Sequence, residues 1–462
     1  MTTQALTRQA TEVQTAPQPA LAKDSPRGRL VGTGVGNALE WFDWSVYSTF
    51  APFFAAHFFA AGEDPVVAFL QTLAVFAVGF VARPAGGFLF GWIADRHGRR
   101  SSLSATVGLA ALGSLVIAVS PGIEQIGWGA ALLLVIARIA QGLAHGGEQP
   151  AAQSYLAESA PAERRGLWSS LIYFSGTIGA NLGVALAVLL TTVLTPEQLG
   201  DWGWRIPFAL GAVGGLFALV MRQRLHETDH FAYVAPTEGA GARRSPFAGL
   251  WTAMVTHRRS AAQVIGMTVG VTIVYYLFVV AASGYSIAVL GMDSRLATTT
   301  AMWCNVVFLV WLPLWGIASD RLGRKPVMLA CIAALMVVTV PLSQMIDGSV
   351  RGLATAMLVS GVFIAGICSV SPAVMTELFP TRIRTLGVAV PLSVAVAVFG
   401  GTSYYLQVWM SSTWGPTAFA WYVVAALAVS LVAVLTLPET RGRQLTDEDA
   451  DFTGARATSG AA

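Results

Sequence analysis

The stretch Gly91-Trp-Ile-Ala-Asp-Arg-His-Gly-Arg-Arg100 separates two long apolar runs, and its pattern returns as Gly316-Ile-Ala-Ser-Asp-Arg-Leu-Gly-Arg-Lys325. Asp95 and Asp320 are 225 residues apart, and the glycines that follow them keep the same separation. A basic motif that is used twice, each time at the end of an apolar segment, predicts a membrane protein built from two similar halves.

Composition places the chain among multi-span membrane proteins. Of its 462 residues, 55% are hydrophobic and 11% are charged, whereas about 25% are charged in an average soluble domain. A helix that spans a bilayer needs about 20 mostly apolar residues. Twelve segments meet this requirement, at about 30–54, 66–93, 101–123, 128 onward, 167–196, 204–221, 260–292, 296–319, 326–346 and 352–376, with two more inside 385–438.

Polar segments divide these spans into two groups of six. Residues 1–29 are predicted to form a disordered cytoplasmic tail, and residues 30–221 the N-terminal six-helix bundle. Residues 222–259, which are polar and rich in Arg, Pro and Gly, are predicted to form a cytoplasmic linker. The C-terminal bundle is predicted over 260–438, followed by a second cytoplasmic tail over 439–462.

The distribution of Lys and Arg predicts the orientation. With a cytoplasmic N-terminus, only Arg205, Arg295 and Arg351 of the 28 basic residues fall on the outer side, and Arg83 and Arg138 fall inside the membrane. Cytoplasmic loops of membrane proteins carry an excess of Lys and Arg. Both termini are therefore predicted to be cytoplasmic.

Further repeats support two parallel halves. Tyr155-Leu-Ala-Glu-Ser-Ala-Pro161 is echoed by Met375-Thr-Glu-Leu-Phe-Pro380, and each is followed by a pair of arginines. Leu225-His-Glu-Thr228 is echoed by Leu437-Pro-Glu-Thr440. The predicted fold class is an all-α membrane protein with twelve transmembrane helices in two six-helix pseudo-symmetric bundles. Such an architecture places the substrate site near the middle of the membrane, between the halves.

These motifs resemble those of a known family. Gly91-x-x-x-Asp95-Arg96-x-Gly98-Arg99-Arg100 resembles the major facilitator superfamily signature after helix two, and Arg138-x-x-Gln141-Gly142 resembles its helix-four motif. More narrowly, the chain resembles the metabolite:proton symporters, on the motifs Glu40-Trp-Phe-Asp43, Arg83-Pro-x-Gly-Gly87, Gly146-Gly-Glu148, Trp202-Gly-Trp-Arg-Ile-Pro207, Glu377-x-Phe-Pro380 and Arg384-x-x-Gly387. Within that family, residues 70–80 and 202–212 look most like the α-ketoglutarate (dicarboxylate) permeases.

The resemblance implies a proton-coupled secondary transporter of the bacterial inner membrane that imports a small organic anion by alternating access. A dicarboxylate such as α-ketoglutarate is the expected substrate. The family also includes carriers for citrate, shikimate, and proline or betaine, which are the alternatives. A non-transporting membrane sensor is an alternative from a different class.

Several functions are not expected from this sequence. It contains no nucleophile–base pair, no metal-ligand cluster and no Gly-x-x-x-x-Gly-Lys-Ser/Thr loop, so we expect no enzyme activity, no metal, no cofactor and no ATP-driven transport. The expected partners are the organic anion, protons and the lipid bilayer, with no nucleic acid. We expect the protein to be a monomer.

Glu40, Asp43, His145 and Glu148 are the candidate proton-coupling residues. Glu40 and Asp43 share one face of the first helix because they are three residues apart. An isolated ion there costs at least about 2.5 kcal/mol, and desolvation favours the protonated form of a carboxyl group. The alternatives are a structural ion pair with Arg83 or Arg138, and a structural role for His145.

Arg138 and Arg83 are the candidate residues for binding an anionic substrate, because a guanidinium pairs bidentately with carboxylate. Internal charge balance against the buried carboxylates is the alternative. Of the adjacent tyrosines 275 and 276, and likewise 404 and 405, at most one of each pair is expected to face the pathway. The other candidate substrate-binding residues are Gln141, Asn181, Tyr275 and Asn305.

The repeated loop motifs provide the candidate gating residues. A latch at the cytoplasmic ends of the helices, which breaks during transport, is one interpretation, and control of topology by positive charge is the other. Gly98 is expected to permit a turn with positive φ. The candidate gating residues are Asp95, Arg96, Arg99, Asp320, Arg321, Arg324, Glu158 and Glu377.

Overall fold

The structure is a computed structural model that describes residues 26–59, 65–97, 99–146, 148–224, 255–380, 383–443 and 445. The predicted tails fall outside these ranges, except at their inner edges, and so does most of the predicted linker. Within the ranges, the backbone is described for Asp95, Arg96, Arg99 and Glu148, but their side chains are not.

The described residues form twelve helical rods, which we number in chain order. In the N-terminal half, α4 is in two pieces. The rods are α1 Pro26–Phe58, α2 Pro65–His97, α3 Arg99–Val119, α4 Gly129–His145 with Glu148–Ser159, α5 Arg165–Val193 and α6 Arg205–Arg224.

In the C-terminal half, π turns at Tyr276–Val280 and Val396–Gly400 interrupt α7 and α11. The rods are α7 Arg258–Tyr275 with Ala282–Ala288, α8 Ser294–Leu322, α9 Arg324–Gln344, α10 Val350–Glu377, α11 Arg384–Ala395 with Gly401–Trp414, and α12 Ala418–Leu435. The twelve rods follow the predicted spans, although α1 begins at Pro26 rather than near Leu30.

Local sequence explains several helix ends. The Asp293 side chain accepts a hydrogen bond from the Leu296 backbone N–H at the start of α8, and Ser349 does the same for Gly352 at the start of α10. Such N-caps satisfy backbone donors that have no partner within the helix. Gly415, with φ of 96°, follows the end of α11 at Trp414.

By length and hydropathy, nine of the rods in the described part of the chain can cross a membrane, namely α2 and α5–α12. The apolar stretches of α3 and α4 are shorter, at Ser104–Val119 and Gly129–His145. Many large apolar side chains point outward from these rods, such as Val119, Phe217 and Val337. Exposed apolar surface of this extent suits contact with lipid rather than water.

The rods pack into two bundles with matching internal contacts. In the first, α1 packs on α5, α2 on α4, and α3 on α6. In the second bundle, α8 packs on α10, which corresponds to α2 on α4 in the first. Likewise, α9 packs on α12, which corresponds to α3 on α6. Between the bundles, the main contacts join α5 to α8 and α2 to α11. This repeated pairing agrees with the two parallel halves inferred from the motifs.

Glycine brings α2 and α4 into close contact. A Cβ at Gly142 would lie 2.0 Å from the Gly79 carbonyl oxygen, and one at Gly146 would lie 1.9 Å from the Arg83 carbonyl oxygen. Only glycine allows two helix backbones to approach this closely. The crossing fixes the positions of two cations, the partly exposed Arg83 on α2 and the buried Arg138 on α4.

Candidate substrate cavity, proton site and gate

A cavity lies between the two bundles. Its walls come from α1, α2, α4 and α5 on one side and from α7, α8, α10 and α11 on the other. The two π turns contribute to it through Tyr276 and Val396. π turns inside helices often occur at functional sites. Aromatic side chains dominate the lining, namely Trp41, Trp44, Phe76, Phe80, Tyr173, Tyr275 and Tyr276.

Arg83 carries the only charge among the described lining residues of this cavity. Its Nη2 donates a hydrogen bond of 3.0 Å to Glu40 Oε1, and Glu40 is 2% exposed. The Arg83 guanidinium lies over the rings of Trp44 and Phe80, with Cζ 4.4 Å and 4.9 Å from the ring centroids. A guanidinium stacked on aromatic rings keeps its N–H groups at its edge, where a carboxylate can reach them.

Arg138 lies one aromatic layer behind the cavity wall. Its Cζ is 4.2 Å from the Trp44 ring centroid, 4.3 Å from that of Tyr47 and 5.3 Å from that of Phe76. The side chain is 1% exposed and does not line the central cavity. The predicted role of Arg138 in substrate contact therefore does not follow from the position of its side chain in this structure.

A chain of hydrogen bonds connects Arg138 to Asp43. Arg138 Nη1 donates to Gln141 Oε1 at 2.8 Å, and Gln141 Nε2 donates to Ser114 Oγ at 2.8 Å. Ser114 Oγ donates to Asp43 Oδ1 at 3.3 Å. On its other side, Asp43 Oδ2 lies 3.8 Å from His145 Nε2. Gln141, a predicted substrate-binding residue, thus belongs to this chain and not to the cavity wall.

A second cavity lies inside the N-terminal bundle. It is lined by α1, α3, α4 and α6, and Glu40, Asp43 and His145 all contribute to its wall. Three of the four predicted proton-coupling residues therefore meet in one place. The side chain of the fourth, Glu148, is not described, although its backbone begins the second piece of α4.

Of the three remaining predicted substrate-binding residues, two line the central cavity and one does not. Tyr275 and Asn305 line the central cavity, whereas Asn181 does not. The expectation that at most one of the adjacent tyrosines 275 and 276 faces the pathway is wrong, because both line the central cavity. The cavity extends around α7, and the π turn that begins at Tyr276 changes the helical spacing there.

Sequence reasoning missed several lining residues. Trp41 and Trp44 form much of the wall next to the buried charges, and Cys368 of α10 faces the cavity as well. Trp41 makes edge-to-face contacts with Tyr173 at 5.5 Å and with Tyr275 at 6.0 Å. The signal for the tryptophans was present, since each directly follows a predicted proton-coupling residue in the chain.

Two reciprocal ion pairs join the bundles at one end of the rods. Arg165 of α5 pairs with Glu377 of α10 at 2.9 Å, and Arg384 of α11 pairs with Glu158 of α4 at 2.6 Å. Arg384 and Glu377 lie 219 residues after Arg165 and Glu158, respectively. Each pair therefore has its counterpart in the other half, as a twofold relation between the repeats requires. We call this end of the molecule the gate end.

Asp320 and Arg324 belong to the second copy of the repeated loop motif, and they add contacts at the gate end. Asp320 accepts hydrogen bonds from the backbone N–H groups of Gly166 and Leu167, at 2.8 and 3.0 Å, at the first turn of α5. Arg324 Nη1 lies 2.6 Å from Asp320 Oδ1. A carboxylate at a helix N-terminus is stabilised by the helix dipole and the unpaired N–H groups. The motif from one half therefore caps a helix of the other.

The predicted gating residues differ in whether the structure places them in contacts at the gate end. Asp320, Arg324, Glu158 and Glu377 all take part in contacts at the gate end, whereas Arg321 is exposed. Gly323 adopts φ of 106°, and its counterpart Gly98 lies outside the described residues. The side chains of the first copy, at Asp95, Arg96 and Arg99, are not described. Arg165 and Arg384 were missed as gating candidates, although the repeated arginine pairs marked both positions.

Comparison with known proteins bears on this architecture. The family model described as "Sugar (and other) transporter" matches residues 31–247 and residues 237–452. The chain belongs to this transporter family. An α-ketoglutarate permease of Escherichia coli K12 is 37% identical over 410 residues, which cover 88% of this chain and 93% of that protein. A proline/betaine transporter of the same strain is 30% identical, over 91% of this chain and 85% of that protein.

Solved structures support the same fold. A proton:xylose symporter of the major facilitator superfamily, bound to 6-bromo-6-deoxy-D-glucose, matches with a TM-score of 0.69 at 19% identity, over 91% of this chain and 98% of that chain. A partially occluded, inward-open xylose transporter from E. coli gives a TM-score of 0.68 at 20% identity, over 90% and 98%. The predicted major facilitator fold is thus confirmed, and the protein is a multi-pass transporter of the bacterial inner membrane rather than an enzyme.

Proposed function

We propose that this transporter imports a small organic anion together with protons, and that the anion is a dicarboxylate of the α-ketoglutarate class. The observation that carries the proposal is Arg83, whose guanidinium reaches the central cavity while it is paired with the buried Glu40. The 37% identity to an α-ketoglutarate permease supports this substrate class. We propose further that the protein acts as a monomer with both termini in the cytoplasm.

The cavity offers a dicarboxylate one charged partner and several neutral ones. One carboxylate would pair with the N–H groups of Arg83. The opposite wall, from the C-terminal bundle, supplies polar groups at Thr272, Ser283 and Asn305 in addition to the tyrosines. A second carboxylate would accept hydrogen bonds from these donors, which are worth about 1.5–3 kcal/mol each when one partner is charged.

Competition for Arg83 would couple the substrate to the proton. While Glu40 is ionised, it occupies Nη2 of Arg83 and balances its charge in a site with little water. Protonation of Glu40 would weaken that pair and leave the guanidinium available to a substrate carboxylate. Since the two events favour each other, proton and anion would bind cooperatively, which is the thermodynamic requirement of symport.

The gate would then alternate access to the cavity. Opening this end requires the two reciprocal pairs, Arg165–Glu377 and Glu158–Arg384, to separate together, because they join the same two bundles. At the opposite end, α1 packs on Ala282–Ala288 and α2 packs on Gly401–Trp414. Rocking of one bundle against the other would exchange these two sets of contacts.

A zwitterion such as betaine or proline is the second candidate substrate. The aromatic wall favours it, because quaternary and protonated amines bind the faces of Trp and Tyr rings. Trp41, Tyr173 and Tyr275 contact one another edge to face around the cavity. In this alternative, Arg83 would bind the single carboxylate, and the rings would surround the amine.

Uptake into proteoliposomes separates the two candidates. Purified protein would be reconstituted and supplied with labelled α-ketoglutarate, succinate, proline or glycine betaine, with and without an acidic exterior. We expect uptake of the dicarboxylates that depends on the pH gradient and exceeds the signal of protein-free liposomes. Uptake of betaine or proline without uptake of dicarboxylates would favour the zwitterion, and no uptake of any of them would overturn the proposed function.

A further inference from the structure

The second cavity gives Asp43 access to the surface that the central cavity does not provide. The Asp43 side chain is 15% exposed, yet Asp43 is absent from the central cavity wall. It does contribute to the wall of the second cavity, together with partly exposed backbone at Gly214. Glu40 lines this second cavity too, and its partner Arg83 lines the central one. The Glu40–Arg83 pair thus connects the two cavities.

The second cavity extends toward the gate end of the N-terminal bundle. Ala218, on its wall, is six residues before the end of α6 at Arg224, which corresponds to about 9 Å along a helix. At this same end, the route from the central cavity is blocked by the buried pair of Arg165 and Glu377, whose side chains are 3% and 0% exposed. The titratable residues therefore adjoin a space that does not pass through the gate.

The His145 ring supplies a second, independent observation at this site. Its ring is 8% exposed, and Nε2 makes no hydrogen bond within the described part of the chain, although it faces Asp43 at 3.8 Å. A buried polar atom without a hydrogen bond is costly. A proton shared between the imidazole and the carboxylate, or a water in the cavity, would satisfy it.

The charged groups around this site come from three helices. Glu40 lies on the same helix as Asp43, Arg83 faces Glu40 from α2, and Arg138 reaches Asp43 from α4 through Gln141 and Ser114. From α3, the neighbour is the hydroxyl of Ser114, and the wall residues of α6 are Leu, Gly and Ala in the described structure. Asp43 and His145 are therefore the titratable groups that face the second cavity beside Glu40.

We propose that the proton and the substrate use separate routes at the gate end. The substrate passes through the central cavity when the gate opens, whereas the proton moves between Glu40 and the gate side through the second cavity, by way of Asp43 and His145. The transfer is a net movement of one proton between carboxylate, imidazole and water, and no bond other than O–H and N–H is formed or broken. This inference depends on the proton coupling proposed above.

Filling the second cavity tests the inference. Among the described residues, apart from its own helix backbone, no atom lies within 4 Å of a Cβ added at Gly214, so Gly214→Leu has room to extend. Ala218→Leu is a second variant on the same wall. Gly108→Leu is the matched control. A Cβ there makes ordinary contact with Leu219 at 3.7 Å, and Gly108 does not line either cavity. Substrate binding, measured as thermal stabilisation, verifies that each variant is folded.

Two transport modes are compared in proteoliposomes. Net uptake driven by a pH gradient requires release of the proton, whereas exchange of labelled for unlabelled substrate at equal pH proceeds with the proton still bound. We expect Gly214→Leu and Ala218→Leu to lose net uptake while they keep exchange, and Gly108→Leu to keep both. Normal net uptake in both cavity variants, or parallel loss of exchange and net uptake, would overturn the separate route. Absence of dicarboxylate transport in the unmodified protein would instead overturn the proposed function.

Discussion

The two bundles share one fold but differ in their internal charges. The N-terminal bundle carries Glu40, Asp43, Arg83 and Arg138 inside its spans, whereas the predicted spans of the C-terminal bundle contain no formal charge. At the central cavity, the first bundle therefore contributes a guanidinium, and the second contributes hydroxyl, amide and thiol groups. At the gate end, by contrast, each bundle contributes one Arg and one Glu to the reciprocal pairs.

This difference indicates that the two bundles have different tasks. Buried charges are costly in a membrane, so keeping them in one bundle confines that cost to one side of the cavity. The neutral bundle can then change its position against the charged one without breaking ion pairs at the middle of the membrane. The reciprocal arrangement of Arg and Glu is kept at the gate end, where the two bundles would separate in the proposed transport cycle.

The largest effect is expected from Arg83→Gln, which removes the charged side chain that the N-terminal bundle contributes to the wall of the central cavity. It removes the guanidinium that pairs with the Glu40 carboxylate, and Glu40 is 2% exposed. Removal of one member of a buried pair costs about 3–5 kcal/mol of stability. We expect a lower unfolding temperature at neutral pH and no proton-driven uptake of dicarboxylate.

The double variant Glu40→Gln/Arg83→Gln is the control for that experiment. It removes both charges, so stability should return while uptake stays absent, and Arg351→Gln, at an exposed position, should change neither. Dicarboxylate uptake by the double variant at the unmodified rate would contradict the role of this pair.

The next effect tests whether the two reciprocal pairs at the gate end differ in strength. In Arg165→Gln, the Glu377 side chain is 0% exposed and keeps only Arg324, at 3.7 Å, and the Thr440 hydroxyl among its described partners. In Arg384→Gln, the Glu158 side chain loses its ion-pair partner but is 44% exposed and can be hydrated. A carboxylate that stays buried after it loses a partner is costly, whereas water can solvate an exposed carboxylate. We therefore expect Arg165→Gln to open the gate more than Arg384→Gln does.

Alkylation of Cys368 measures this opening, because its side chain lines the central cavity. In a background of Cys304→Ser and Cys331→Ser, a maleimide should label Cys368 fastest in Arg165→Gln and more slowly in Arg384→Gln. Equal rates in the two variants would mean that burial does not decide the strength of the gate.

A smaller effect is expected from the neutral wall. Asn305 of α8 lines the central cavity, and Asn181 of α5 does not. Loss of one hydrogen bond to a charged group costs about 1.5–3 kcal/mol, so Asn305→Ala should raise the KM for dicarboxylate by about tenfold or more. Asn181→Ala is the matched control and should leave KM close to that of the unmodified protein. A larger effect at Asn181 would place the substrate nearer to α5.

The smallest effect separates the adjacent tyrosines. Tyr275→Phe and Tyr276→Phe each remove one hydroxyl from the cavity wall and keep the ring. A neutral hydrogen bond is worth about 0.5–1.5 kcal/mol, so each should raise KM by a small factor in the same uptake assay. If only one of them matters, the substrate contacts a single face of α7.

The sequence was sufficient for the fold but not for the division of roles among the buried charges. Apolar spans and repeated motifs predicted two six-helix bundles, because a bilayer restricts a spanning chain to helices of nearly fixed length. Because the spans are so apolar, their sequence does not show how each helix is rotated about its axis. Arg83 and Arg138 therefore looked alike in sequence, although one reaches the cavity and the other lies behind Trp44 and Tyr47.

Glu40 and Asp43 illustrate the same limit. Their spacing of three residues predicted a shared helix face, and both do line the second cavity. The partners could not be predicted, since Arg83 for Glu40 and Ser114 for Asp43 depend on how α2 and α3 pack against α1. The close α2–α4 crossing at Gly142, which sets the position of Arg83, is a property of packing between helices.

Proton uptake on substrate binding tests the central claim most directly. Purified protein in a weakly buffered solution with a pH indicator would be mixed with α-ketoglutarate near neutral pH. Because substrate and ionised Glu40 compete for Arg83, we expect about one proton to be taken up per substrate bound, as linkage requires, and none to be taken up by Glu40→Gln. Binding without proton uptake, or the same uptake in Glu40→Gln, would contradict the account.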